Sequence, residues 1–336
     1  MTAMPKMLIA HWPGLSVYSD EDLAEMSRYV EIMDLRPVGD WSENRASALL
    51  AQVDVVLGHW GCPRIDRAVL ERAPGLGLFA YAAGTVKAII DDSIFDRGVR
   101  VTSGANANAE PVAEYTLAAV LMATKRVLWR RVLEDRPPAG AGHDPDRVPI
   151  GNWDKSVGIV AASLVGRRLI ELLRPFPHIT VSLYDPYIST IQAQALGVRK
   201  VDDLDELCAG VDILSIHAPD LPATRHLIGA RQLAQLRDGA TLINTARPAL
   251  VDQDALIDEL RTGRLFAILD VTDPEPVPSG HPLLLLPNAF VTPHLAGSQG
   301  TELRRLAANA TEEIRRWTVG EAPVNGVSRE QLTTMA

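Results

Sequence analysis

Cysteine is almost missing from this chain: two in 336 residues, Cys62 and Cys208, far apart and without a paired spacing. That excludes a disulfide framework and a Cys-x-x-Cys metal site, so no metal is expected, and a reducing, cytoplasmic setting fits best. Long apolar runs are missing too. The longest stretches, such as Tyr115 to Thr124, fall far short of the ~20 residues that cross a bilayer. The opening Met1-Thr2-Ala3-Met4-Pro5-Lys6 lacks the apolar core of a secretion signal. A basic excess is also lacking: 33 Lys and Arg against 42 Asp and Glu leave a net charge of −9. This argues against nucleic acid or an anionic membrane as partner. What is present is ordinary globular composition, 47% apolar and 22% charged, in a chain long enough for two domains.

Short apolar runs alternate with amphipathic segments from Met7 to Ser103. Strands are expected at Leu8–Ala10, Val30–Met33, Val53–Leu57, Leu76–Ala80 and Val99–Val101, with helices between them, one capped by Ser19 or Asp20. A second alternating set has strands at Val157–Val160, Thr180–Tyr184, Val211–Ile216, Ala240–Asn244, Leu265–Leu269 and Ala289–Val291. Strands spaced by helices imply parallel crossovers, hence an α/β fold. Between the sets, Asn106 to Pro111 reads as a helix cap with Pro111 in the first turn, opening an apolar helix from Val112 to Leu128. So apolar a helix needs cover, which together with the Pro/Gly-rich excursion Glu134–Gly151 suggests a subunit contact. A last helix, Thr301 to Trp317, follows the final strand and is expected to return to the first set.

The second set opens on the order of a dinucleotide-binding unit: strand, small-residue turn, helix, strand, lone acid. Where that turn ordinarily has three glycines, this chain has Ala161, Ser163 and Gly166. The methyl of Ala161 is tolerable if its backbone stays at negative φ. Asp185, 19 residues past Gly166, can accept hydrogen bonds from adenosine ribose hydroxyls and would repel a 2′-phosphate, which favours NAD over NADP.

Ligands of open parallel sheets bind beyond the C-terminal strand ends. The strand ends here carry His217-Ala218-Pro219, Asn244-Thr245-Ala246-Arg247, Asp270 followed by Val271 to Pro276, and Thr292-Pro293-His294. A histidine such as His217 at a strand end is most often structural. Arg247 offers a planar fork that clamps a carboxylate. His294 would give a carbonyl oxygen its proton, and Glu275 would hold the imidazole and favour its protonated form. Together they supply what reduction of a 2-oxo acid requires.

With Arg247, Glu275 and His294 in this order, the chain resembles the D-isomer-specific 2-hydroxyacid dehydrogenases. The matching blocks are Val157–Gly166, Tyr184-Asp185-Pro186, His217-Ala218-Pro219 with Thr224-Arg225, Leu242–Asp252, Leu269–Pro276 and Thr292–Ser298. The resemblance implies two Rossmann-like, doubly wound domains. A nucleotide domain (105–296) would be inserted into a discontinuous substrate domain (1–104 and 297–336), hinged near Gly104 and Ala296. It implies Arg247, Glu275 and His294 as catalytic residues. Cofactor contacts are implied at Ala162, Ser163, Leu164, Val165, Asp185, His217, Pro219, Thr224, Thr245, Ala246, Asp270 and Gly297. A substrate-carboxylate loop is implied at Ala83, Gly84 and Thr85, and a homodimer through the Pro111–Leu128 region.

Besides the two lost glycines, Leu164 stands where the family often has a polar or basic residue. Pro248 follows Arg247 in place of glycine and restricts it toward extended geometry. Lys87 replaces a common acid and could meet a second anionic group on the substrate, although a plain surface lysine is the simpler reading. The expected activity is NAD-dependent interconversion of a small 2-oxo acid and its D-2-hydroxy acid, in the style of glyoxylate/hydroxypyruvate reductases. Phosphoglycerate dehydrogenases often carry extra C-terminal length, which disfavours that activity here. The alternative is a non-catalytic NAD-sensing protein, like the family's corepressor relatives.

Overall fold

The structure, a computed structural model, describes residues 3–129 and 150–334, so most of the Glu134–Gly151 excursion lies outside the described residues. Two compact units are present, Met1–Asn108 with Ser298–Ala336, and Ala109–Gly297.

In the first unit the apolar runs form parallel strands β1 (Lys6–Ala10), β2 (Glu31–Ile32), β3 (Val55–Gly58), β4 (Leu78–Tyr81) and β5 (Arg100–Ser103), in the order β2-β1-β3-β4-β5. Alternation along each strand serves two cores. Leu8, Ala10, Val56 and Phe79 pack on one face, and Met7, Ile9, Val55, Leu57 and Leu78 on the other. Fully buried parallel strands read as continuous apolar runs for this reason. Helix Leu303–Thr318 covers the second face with Leu306, Ala310 and Ile314, as its position after the last strand suggested. Ser19 caps helix Asp20–Met26 in a reciprocal box with Asp22.

The second unit holds β6 (Lys155–Val160), β7 (Ile179–Tyr184), β8 (Arg199–Lys200), β9 (Ile213–Ile216), β10 (Thr241–Asn244), β11 (Phe266–Leu269) and β12 (Ala289–Val291). All are parallel, in the order β12-β11-β10-β9-β6-β7-β8. The chain reverses direction across the sheet between β6 and β9, the switch point where such sheets open a ligand crevice. β8, two residues at the edge, carries no apolar run to announce it.

The long helix departs from its expected bounds and runs Ala105–Thr124. Ser103 Oγ accepts the Ala105 N–H (3.1 Å) and Gly104 O accepts from Asn108 N (2.9 Å), so the helix is already closed before Pro111. Asn106–Glu110 are helical rather than a cap, and Pro111 stands inside the helix, where it cannot donate to Ala107 O. At the other end Arg126 turns left-handed (φ 59°), which stops the helix short of Leu128. Among the described residues no helix is long and apolar enough to cross a membrane.

Candidate active site and cofactor turn

β6 runs directly into the turn. Ala161 N donates to Tyr184 O (2.8 Å), tying the turn to the neighbouring strand, and Ala161 adopts φ 77°. The negative φ at which its methyl would be tolerable is not what the fold imposes. A Cβ on Gly166 would lie 2.2 Å from Ala161 O, so the helix presses on that carbonyl. The turn thus keeps a glycine's conformation while carrying a methyl, at a cost of roughly 1–2 kcal/mol. Ser163 caps helix Leu164–Leu173, its Oγ accepting from Gly166 N at 3.3 Å, so its hydroxyl serves the turn itself. Leu164 is exposed and Val165 half-buried, at a helix end whose first N–H groups lack intrahelical acceptors. Arg167 folds back, its Nε donating to Ala162 O at 2.8 Å.

Asp185, at the end of β7, is buried. Its carboxylate accepts from Ala162 N and Tyr187 N, each at 2.8 Å. Two of its acceptor positions thus order the turn, and a carboxylate has others to offer a ribose. Asp185 is therefore wired into the turn and is not a solvated surface acid.

The remaining strand ends divide by what their side chains already hold. His217 is buried after β9, its Nε2 2.8 Å from Ser215 Oγ and its Nδ1 without a partner. Burial pulls its pKa down to about 3, so the ring is neutral. Thr224 spends its hydroxyl on Pro219 O (2.5 Å) and Leu221 N (2.9 Å), shaping the loop that carries Pro219. Thr245 is buried against Thr116 (Oγ1 to Oγ1 3.0 Å), and Ala246 N donates to Asn244 Oδ1 (3.0 Å). Gly297 closes the second unit.

Arg247 follows with extended backbone (φ −141°, ψ 141°), as the proline after it requires. Pro248 is the first residue of a 3-10 turn, Pro248–Leu250, where its missing N–H costs nothing. The guanidinium is half-buried. Nη1 donates to Ala246 O (2.7 Å), and burial lowers its pKa, against the opposing pull of Asp220 and Glu275. Glu275 lies between two cis-proline peptide bonds, Asp273-Pro274 and Glu275-Pro276. Its Oε1 is 2.6 Å from His294 Nδ1, and both side chains are open to solvent, the imidazole 52% exposed. Arginine, carboxylate and imidazole thus assemble within one unit.

His294 itself is left-handed (φ 53°). Asp270 holds it there. Asp270 O accepts from His294 N, Oδ1 accepts from Leu295 N and Oδ2 from Ala296 N, each at 2.9 Å. Thr292 Oγ1 also donates to Oδ1 (2.6 Å), which leaves Tyr115 OH as the donor to Thr292 (2.8 Å). Asp270, expected as a cofactor contact, is built first of all into the loop that carries His294. Nothing in the sequence around Thr292 or Tyr115 signals this link, because the two residues that make it stand 177 positions apart.

In the first unit, Ala82 and Ala83 are buried after β4, Gly84 and Thr85 are half-buried, and Lys87 is exposed. Ser103 Oγ donates to Gly84 O (2.5 Å) and Lys87 N to Thr85 Oγ1 (3.2 Å). A Cβ on Gly104 would meet Ala83 O at 2.9 Å, so the residue that follows β5 has to be a glycine.

The turn, the buried acid at the end of β7 and the helix pressed on Ala161 fit a dinucleotide. Comparison with known proteins agrees. A family model for the NAD-binding domain of D-isomer specific 2-hydroxyacid dehydrogenases matches residues 120–296. The D-3-phosphoglycerate dehydrogenase of Methanocaldococcus jannaschii is 30% identical over 281 residues, covering 80% of this chain and 51% of that protein. The chain therefore spans about half the length of the phosphoglycerate dehydrogenases it matches. Glyoxylate/hydroxypyruvate reductase B of Yersinia enterocolitica is 32% identical over 305 residues, covering 87% and 89%. Among solved structures, the TT0316 protein of Thermus thermophilus superposes with a TM-score of 0.74 at 29% identity, over 96% of this chain and 100% of that one.

Proposed function

This chain belongs to the D-isomer-specific 2-hydroxyacid dehydrogenases, whose NAD-binding domain it carries, and on that premise we propose that it reduces a small 2-oxo acid of the glyoxylate or hydroxypyruvate kind to its D-2-hydroxy acid. The observation that carries the reading is the 2.6 Å contact between Glu275 and His294. A carboxylate on Nδ1 fixes the tautomer, leaving Nε2 to carry the proton the carbonyl oxygen receives. NADH, when bound at the turn and Asp185, would supply the hydride that reduction needs. The planar fork of Arg247 takes the substrate carboxylate, and its partial burial strengthens that charge-assisted pairing. The loop at Ala83, Gly84 and Thr85, which the resemblance assigns to the substrate carboxylate, is part of the same reading. The homodimer expected through the long helix belongs to the same proposal.

NADH oxidation followed by absorbance with glyoxylate, hydroxypyruvate, pyruvate and phenylpyruvate tests the activity. His294→Ala removes general-acid help of about 10²–10⁴-fold, and Glu275→Gln removes a smaller part. An unchanged rate in His294→Ala overturns the role of that residue. NADH binding without turnover of any 2-oxo acid supports the NAD-sensing alternative. The buried Asp185 carboxylate excludes a 2′-phosphate by charge, so titration is expected to give a lower Kd for NADH than for NADPH, and the reverse order overturns that assignment.

A further inference from the structure

Two arginines follow one another in helix Leu164–Leu173, and their surroundings are opposite. Arg168 is spent on carboxylates: its Nε donates to Glu110 Oε2 and its Nη1 to Glu171 Oε2, each at 2.9 Å. Arg167 is half-buried, and its one acceptor among the described residues is the carbonyl of Ala162, reached by Nε at 2.8 Å. A guanidinium carries five N–H donors, so the four on Nη1 and Nη2 remain for water or a ligand.

Arg167 stands three residues after Leu164, so the two share one face of the helix, and helical side chains lean back toward the N-terminus. Leu164, at the first helical position, is exposed and brings no charge. The bond to Ala162 O draws the guanidinium back past it onto the turn. Ala162 is then held at both ends, its N–H by Asp185 Oδ2 (2.8 Å) and its carbonyl by Arg167, so the ribose acid and the arginine flank one residue. Two backbone donors of the turn are already committed, Ala162 N to Asp185 and Gly166 N to Ser163 Oγ (3.3 Å). A dinucleotide's pyrophosphate carries two negative charges, against which a helix end sets only about half a positive one. Asp185 adds a negative charge beside it, in a chain whose net charge is −9. The turn needs a cation, and Arg167 is the one folded onto it.

We propose that Arg167 binds the pyrophosphate of the cofactor, its Nη groups donating to phosphate oxygens while Nε stays on Ala162 O. A planar fork whose orientation is fixed by a backbone carbonyl loses little freedom when it pairs, and charge-assisted bonds to phosphate are the strong kind. The inference goes beyond the 2-oxo acid reading and does not rest on it, because an NAD-sensing protein would use the residue in the same way.

Fluorescence titration of the full chain with NADH, in the absence of any 2-oxo acid, tests this. Arg167→Gln removes the charge and keeps an N–H donor for Ala162 O. It is expected to raise the Kd for NADH roughly tenfold or more, with the melting temperature unchanged. ADP-ribose, which has the same pyrophosphate and no nicotinamide, should weaken by the same factor. The gap between the natural chain and the variant should narrow as salt rises, because screening weakens a half-exposed ion pair. Arg167→Lys, which keeps the charge, should recover most of the affinity. A residue that only shapes the turn predicts that both variants lose melting temperature along with affinity and that the gap ignores salt, and this outcome overturns the proposal. So does an unchanged Kd in Arg167→Gln, or a loss seen with NADPH and not with NADH, which would set the guanidinium against the 2′-phosphate instead. If Arg167→Gln does not fold, Arg167→Met, which keeps the apolar stem, gives the same readings. Failure of the dehydrogenase reading shows in turnover and not in these titrations.

Discussion

Ala161 and His294 each hold a side chain at a left-handed backbone angle, φ 77° and 53°, and each sits where a strand hands over to the site. The two strains have different origins. At His294 the angle is enforced by five hydrogen bonds that converge on Asp270 and Thr292, and it aims the imidazole at Glu275. At Ala161 the angle is enforced by the nucleotide fold itself, and the methyl contributes nothing to offset it. Ala161→Gly is therefore expected to stabilise the protein by about 1 kcal/mol, seen as a rise of a few degrees in melting temperature, and to tighten NADH binding. Ser163→Gly is expected to gain nothing, since it removes a helix cap and costs a few tenths of a kcal/mol. A melting temperature unmoved by Ala161→Gly would show that the turn avoids the left-handed region. The lost first glycine was legible in the sequence, but its strain was not, because φ is set by how closely Gly166 presses on the turn.

At the scale of elements, strand order and strand ends were readable wherever an apolar run marked them. β12 was read to the residue, and most other strands within two residues at each end. The edge strand β8 and the true start of helix Ala105–Thr124 were not readable. The first has no apolar run, and the second is capped by Ser103 from outside the segment that looks helical. The site divides the same way. Arg247, Glu275 and His294 could be named because each follows a strand. The support of the His294 loop could not, because Tyr115 reaches Thr292 across 177 residues. That contact ties the long helix to the loop that carries His294. Removing the Thr292 hydroxyl leaves the Tyr115 hydroxyl unpaired and one Asp270 oxygen with a single donor. Thr292→Val should lower kcat by roughly tenfold, about 1.4 kcal/mol, while NADH affinity stays level, and Thr292→Ser should restore it. Equal losses in the Val and Ser variants would make the link one of packing alone.

For the molecule as a whole, each unit buries a neutral histidine at the end of a central strand, His59 in the first and His217 in the second, both with pKa pulled to about 3. The unfolded chain binds those protons near the ordinary value of ~6.5. Between these limits the unfolded state holds more protons than the folded one, so stability falls as pH falls, by up to ~1.4 kcal/mol per pH unit for each histidine. Above ~6.5 neither contributes to the slope. His217→Gln separates this from the titration of carboxylates, which the variant shares. An amide can keep the contact with Ser215 Oγ that His217 Nε2 makes, and His217 Nδ1 has no bond to lose. Urea unfolding repeated from about pH 7 to about pH 4 should show the variant losing stability less steeply than the natural chain, by close to one proton, with the two curves meeting near neutrality. Parallel curves would mean that His217 is protonated in the folded protein, and that the site around β9 is open to water at mildly acidic pH.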